Sequence, residues 1–123
     1  MGGMIPTVLY VALGGALGAA LRYGVALMVA FPLGTLAVNV AGSFLIGVAF
    51  TLLAADKGLG GWQPLIITGI LGGFTTFSAF SLDTMRLIAD GRISAAMIYA
   101  AASVLLSLGA CALGLWLTKG MTV

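Results

Sequence analysis

The sequence has no histidine and no glutamate, and only three acidic and five basic side chains among its 123 residues. Metallohydrolase, Ser-His-Asp and paired-carboxylate chemistry are thereby excluded or nearly so. Cysteine is almost as scarce. Cys111 stands alone, forms no disulfide framework, and reads as a small packing residue in an apolar run. Only 7% of residues are charged, where a soluble domain carries about a quarter, and 62% are apolar. Water is therefore not the main solvent. The formal charge of +2 comes from basic residues scattered among the loops, too dispersed to make a nucleic-acid patch.

The eight charges are Arg22, Asp56, Lys57, Asp83, Arg86, Asp90, Arg92 and Lys119, and they leave residues 1–21, 23–55, 58–82 and 93–118 uncharged. Each run is long enough to cross a bilayer. Turn residues and charges set the boundaries: four predicted spans, at about 6–30, 35–55, 63–82 and 94–118, in one transmembrane domain over residues 1–123. Pro6 lies near a first helical turn, Phe31-Pro32-Leu33-Gly34 reads as a tight turn, and Asp56-Lys57-Gly58-Leu59-Gly60-Gly61 as a polar loop. Asp83 to Arg92 reads as the next loop, or as a loop preceded by an extra helical turn of the third span, and Ser94 is the expected N-cap of the fourth span. Trp62 and Trp116 fall where interfacial aromatics sit. The first span has no basic residue ahead of it and no small-residue cleavage site, so it reads as retained.

With four spans, Lys57 and Lys119 lie on one side and Arg22, Arg86 and Arg92 on the other. So small a bias barely selects an orientation. A chain that inserts both ways can meet an opposed copy in an antiparallel, isologous dimer; the alternative is that the small bias suffices for one orientation.

Inside the spans, Thr35, Asn39 and Ser43 recur at i, i+4 and i+8, and Tyr99, Ser103 and Ser107 repeat the spacing in the fourth span. Each triplet makes one stripe of a helix. Singly such residues often bond to their own backbone, but two stripes with a mid-span Asn make a polar track. All are neutral donors as well as acceptors, which suits a small, partly dehydrated anion better than a cation. Arg22 is placed to draw anions to a mouth, unless it only snorkels to the interface. The third span holds Gly69-Ile70-Leu71-Gly72-Gly73-Phe74-Thr75-Thr76-Phe77-Ser78-Ala79-Phe80-Ser81, where paired glycines and β-branched threonines weaken a helix. A break near its middle is expected, of the kind that binds ions. Phe74, Phe77 and Phe80 fall at i, i+3 and i+6, and their positive ring edges can contact an anion beside a polar track.

Three stretches together resemble the Fluc (CrcB) family of fluoride ion channels. They are Gly14-Gly15-Ala16-Leu17-Gly18-Ala19 leading to Arg22-Tyr23, Gly34-Thr35-Leu36-Ala37-Val38-Asn39-Val40-Ala41-Gly42-Ser43-Phe44, and Gly72-Gly73-Phe74-Thr75-Thr76-Phe77-Ser78-Ala79-Phe80-Ser81. Two departures are Ala79, where Thr is common, and Asp83, where Glu is common. The resemblance implies an all-α membrane protein of four transmembrane helices, forming an antiparallel, dual-topology homodimer with two pores, in the cytoplasmic (inner) membrane. It implies Phe77 and Phe80 as pore phenylalanines, Asn39 as a polar pore residue, Thr76 and Ser78 close to the rings, and Tyr99, Ser103 and Ser107 along the track. It further implies a structural Na+ at the dimer centre, held by backbone carbonyls of Gly72 and Thr75, with fluoride, membrane lipid and a second copy as partners. The implied function is passive fluoride export and so fluoride resistance, and no enzyme is implied. Two rivals are a proton-coupled small-solute exporter, which needs a membrane-embedded acid that this sequence is expected to lack, and a purely structural membrane subunit.

Overall fold

A computed structural model describes residues 3–55 and 60–120. The loop read at Asp56-Lys57-Gly58-Leu59 lies outside them. The regular elements among the described residues are all helical, with no strand, which suits a chain immersed in hydrocarbon, where backbone polar groups must bond within the protein. Helix α1 spans Met4–Met28 and α2 spans Leu33–Ala55, joined by a turn at Phe31 and Pro32 in which Leu33 N–H donates to Ala30 O at 2.8 Å. A single 3-10 turn, Gly60–Trp62, leads into a π-helical stretch, Pro64–Leu71, and one α-turn, α3, at Gly72–Phe74. Thr75 and Thr76 have extended backbone (φ −89°, ψ 157° and φ −155°, ψ 120°), and α4 then runs Phe77–Ala89. After a turn closed by Gly91 at φ 76°, α5 spans Ile93–Lys119.

Four segments of 25, 23, 26 and 27 residues are long and apolar enough to cross a membrane: Met4–Met28, Leu33–Ala55, Pro64–Ala89 and Ile93–Lys119. At about 1.5 Å per residue each exceeds a hydrocarbon core of about 30 Å. The third runs past the expected limit at Leu82 to Ala89, so Asp83 and Arg86 are helical rather than part of a loop. Ser94 is not the N-cap of the last helix: Arg92 holds that position, and the chain is already helical at Ile93. The turn explains it, because Gly91 N–H to Ile88 O (3.0 Å) and Arg92 N–H to Leu87 O (2.8 Å) close α4 tightly enough for α5 to start two residues early.

Helix α1 lies on the π-helical stretch and α3, α2 lies along α5, and α4 rests on α5. Both long crossings depend on missing side chains. A Cβ on Gly18 would come within 2.1 Å of the Ile70 carbonyl oxygen, and one on Gly114 within 2.4 Å of Phe44 O, so backbones touch where α1 meets the π-helical stretch and α2 meets α5. Leu87, Ala96 and Tyr99 form a small core between α4 and α5, with Leu36 and Phe80 against it. Many large apolar side chains, such as Ile98 and Leu105 of α5, point outward, which fits a solvent of lipid tails.

Candidate functional site

The two extended residues release backbone groups that a continuous helix would pair internally. Thr76 N–H would bond to Gly72 O; instead it donates to Asn39 Oδ1 at 2.8 Å, while Asn39 Nδ2 donates to Thr76 O at 2.9 Å. One amide of α2 thus clamps both polar groups of one residue. Ala79 N–H, which would bond to Thr75 O, donates to Thr76 Oγ1 at 3.0 Å, an N-cap that starts α4. On the other side, Thr75 N–H and Thr75 Oγ1 both donate to Leu71 O, at 3.0 and 2.9 Å. Gly73 O accepts from Arg22 Nε of α1 at 3.1 Å.

Beside this interruption lies an open groove of about 530 Å3. Asn39 and Ser43 of α2 form one wall, Gly72, Thr75 and Thr76 another, Phe77 and Phe80 of α4 a third, and Ser103 and Ser107 of α5 a fourth. Ser103 is 5% exposed, and its hydroxyl has no hydrogen-bond partner. Asn39 gives only one of its two amide hydrogens to Thr76 and keeps the other. The Phe80 ring sits between Phe77 (centroids 5.5 Å apart, 49° between planes) and Tyr99 (5.6 Å, 38°).

Each polar stripe divides. The lower two members, Asn39 with Ser43 and Ser103 with Ser107, line the groove. The first members leave it: Thr35 Oγ1 donates to Asp83 Oδ2 at 2.6 Å, and Tyr99 OH approaches the same oxygen at 3.4 Å. Asp83 is 7% exposed. Ser78 is exposed and off the groove wall, its hydroxyl 3.2 Å from that of Thr76. Arg22 is half-buried and also off the wall. Phe74 does not share a face with Phe77, because the extended residues between them break the helical spacing; it lies against the site of Gly42 instead.

Comparison with known proteins bears on this arrangement. Residues 9–115 match the family model described as "CrcB-like protein, Camphor Resistance (CrcB)". The chain belongs to the CrcB family. Among its curated relatives, the "Fluoride-specific ion channel FluC" of Paracoccus denitrificans (strain Pd 1222) is 51% identical over 120 residues, covering 94% of this chain and 96% of the relative. The protein of the same name from Ruegeria sp. (strain TM1040) is 50% identical over 125 residues, covering 96% and 98%. That from Rhodospirillum rubrum is 42% identical over 120 residues, covering 90% of each. These CrcB relatives carry the name of an ion channel, not of an enzyme, and with four span-length helices this chain is a multi-pass membrane protein.

Within the CrcB chain, Asp83 is the residue whose role sequence reasoning missed. Treated as a loop charge, it turns out to be a buried carboxylate joining α2, α4 and α5 through Thr35 and Tyr99. Its signal was present in the spacing: Asp83 follows Phe80 by three residues, so one helical face carries both. Among the described residues there is no cluster of three His, Cys, Asp or Glu able to hold a metal.

Proposed function

We propose that the chain is a passive, fluoride-selective channel, as its relatives named fluoride-specific ion channels suggest, and that it lets fluoride leave the cytoplasm and so confers fluoride resistance. One observation carries the reading: a buried, unpartnered hydroxyl, Ser103 Oγ, in a groove whose other polar groups are neutral donors. A small anion losing its water needs hydrogen-bond donors along its path, and each must bind weakly enough to release it. Ser103, Ser107, the spare Asn39 N–H and the edges of Phe77 and Phe80 supply weak sites of that kind. Thr76 and Ser78 border the path, and Tyr99 supports it by backing the Phe80 ring.

The functional unit is an antiparallel, dual-topology homodimer in the cytoplasmic membrane, with two paths. Two features support this: the charge balance of the loops, and a groove that is open where Phe77 is 77% exposed. The carbonyls of Gly72 and Thr75 fit a sodium site at the centre of such a dimer. Their helical donors, Thr76 N–H and Ala79 N–H, are engaged elsewhere, which leaves oxygen dipoles of the type that hold hard cations. Bound there, sodium would supply fixed positive charge joining the two copies.

Contrary to the expectation of no embedded acid, Asp83 lies within the third span-length segment, because α4 continues past Leu82, but it lies off the groove wall. Liposomes containing the pure protein decide between channel and proton-coupled exporter. Fluoride should run down its own gradient with chloride retained, and an imposed proton gradient should not accumulate fluoride. Uphill fluoride accumulation would establish the exporter, and absence of fluoride flux would leave only a structural role.

A further inference from the structure

The interruption of the third segment has two sides, and only one faces the groove. Gly72 and Thr75 lie on the groove side. Gly73 is turned to α1: a Cβ there would lie 2.6 Å from Gly15 O and 3.2 Å from Ala19 N, so its backbone rests directly on that helix. One turn further along α1, Arg22 reaches the Gly73 carbonyl with Nε at 3.1 Å. That oxygen lost its helical donor to the interruption, and in lipid an unpaired carbonyl is strongly disfavoured. Arg22 also places a cation at the carbonyl end of a helical run, where the summed peptide dipoles are negative.

From this we infer that Arg22 is a positioning residue for the carbonyls of the interruption. By fixing Gly73 O on the α1 side it holds the turn so that Gly72 and Thr75 stay on the groove side, where they are available to a cation. The role differs from drawing anions to a mouth, because the Nε hydrogen is directed at the protein's own backbone. A planar guanidinium suits it, since Nε can be committed to one oxygen while the remaining donors stay free. A lysine has no such fixed geometry.

The inference rests on the reading of Gly72 and Thr75 as sodium ligands, and the test separates the two. Thermal unfolding of the purified protein is followed in sodium chloride against choline chloride at equal ionic strength, for wild type, Arg22→Gln and Arg22→Lys. Sodium should raise the wild-type midpoint, and the concentration giving half of that rise should increase about tenfold or more in Arg22→Gln, as for other groups that orient metal ligands. Arg22→Lys should show the same direction of change and keeps the test available if Arg22→Gln does not fold. An unchanged sodium requirement in both variants overturns the inference. A fluoride flux that falls only at low ionic strength, with the sodium requirement unmoved, also overturns it, in favour of anion attraction. If wild type shows no sodium-specific rise, the sodium reading itself fails and takes the inference with it.

Discussion

Replacing Asn39 with alanine tests how the interruption is held. The substitution removes both bonds to Thr76, at 2.8 and 2.9 Å, and leaves the Thr76 N–H and C=O without their partner in a part-buried position. Side-chain hydrogen bonds between membrane helices average roughly 0.6 kcal/mol each, which puts the lower bound near 1 kcal/mol for the pair. A stranded buried donor or acceptor costs about 1–3 kcal/mol. We therefore expect a loss of about 1 to 3 kcal/mol, less whatever Thr76 N–H regains by returning to Gly72 O and making the helix continuous. Asn39→Asp sharpens the test. It keeps an acceptor for Thr76 N–H but sets a carboxylate oxygen against Thr76 O in place of the donor Nδ2, so it should cost more than alanine despite its closer shape. The assay is denaturant-induced unfolding of the purified protein, followed by tryptophan fluorescence. An unshifted midpoint in Asn39→Ala, or an Asp variant more stable than the Ala variant, would refute the clamp.

Phe77→Ile and Phe80→Ile keep apolar bulk but remove the ring edge; both should fold yet lose most fluoride efflux from liposomes, and wild-type efflux from both would make the rings packing residues. At Asp83 the bond from Thr35 is short and that from Tyr99 long, so Thr35→Val should lower the unfolding midpoint more than Tyr99→Phe; the reverse order would mean that Tyr99 is the main partner. Gly114→Ala puts a methyl 2.4 Å from Phe44 O and should cost about 1–3 kcal/mol, whereas Gly24→Ala, with nothing within 4 Å, should be neutral or stabilising in the same unfolding assay.

Four span-length helices were legible because lipid imposes a simple rule on composition, and the charges and turn residues mark where each run stops. The ends were less so. Asp83 and Arg86 look like loop residues when charge alone is weighed, yet α4 carries both, since a carboxylate with two hydroxyl partners and a guanidinium 4.3 Å above the Phe31 ring are not bare charges. The stripes were visible as spacings, and Asn39, Ser43, Ser103 and Ser107 do meet across one groove. That Thr35 and Tyr99 turn away to share one oxygen of Asp83 was not visible, because it depends on how far α4 continues past Leu82. Nor does spacing reveal that Phe74 leaves its neighbours, as periodicity assumes the helix it is used to find.

The groove wall consists of amide, hydroxyl, aromatic, aliphatic and backbone groups, and among the described residues none of them ionises. Its charge is thus the same at any acidity a cell meets. In the proposed opposed dimer, two such walls would remain equivalent even when the solutions on either side differ in acidity, so protonation of the wall would give the ion no preferred direction. Any directional bias must come from elsewhere: from how much of the ion each side holds and in which chemical form, and from the voltage across the membrane.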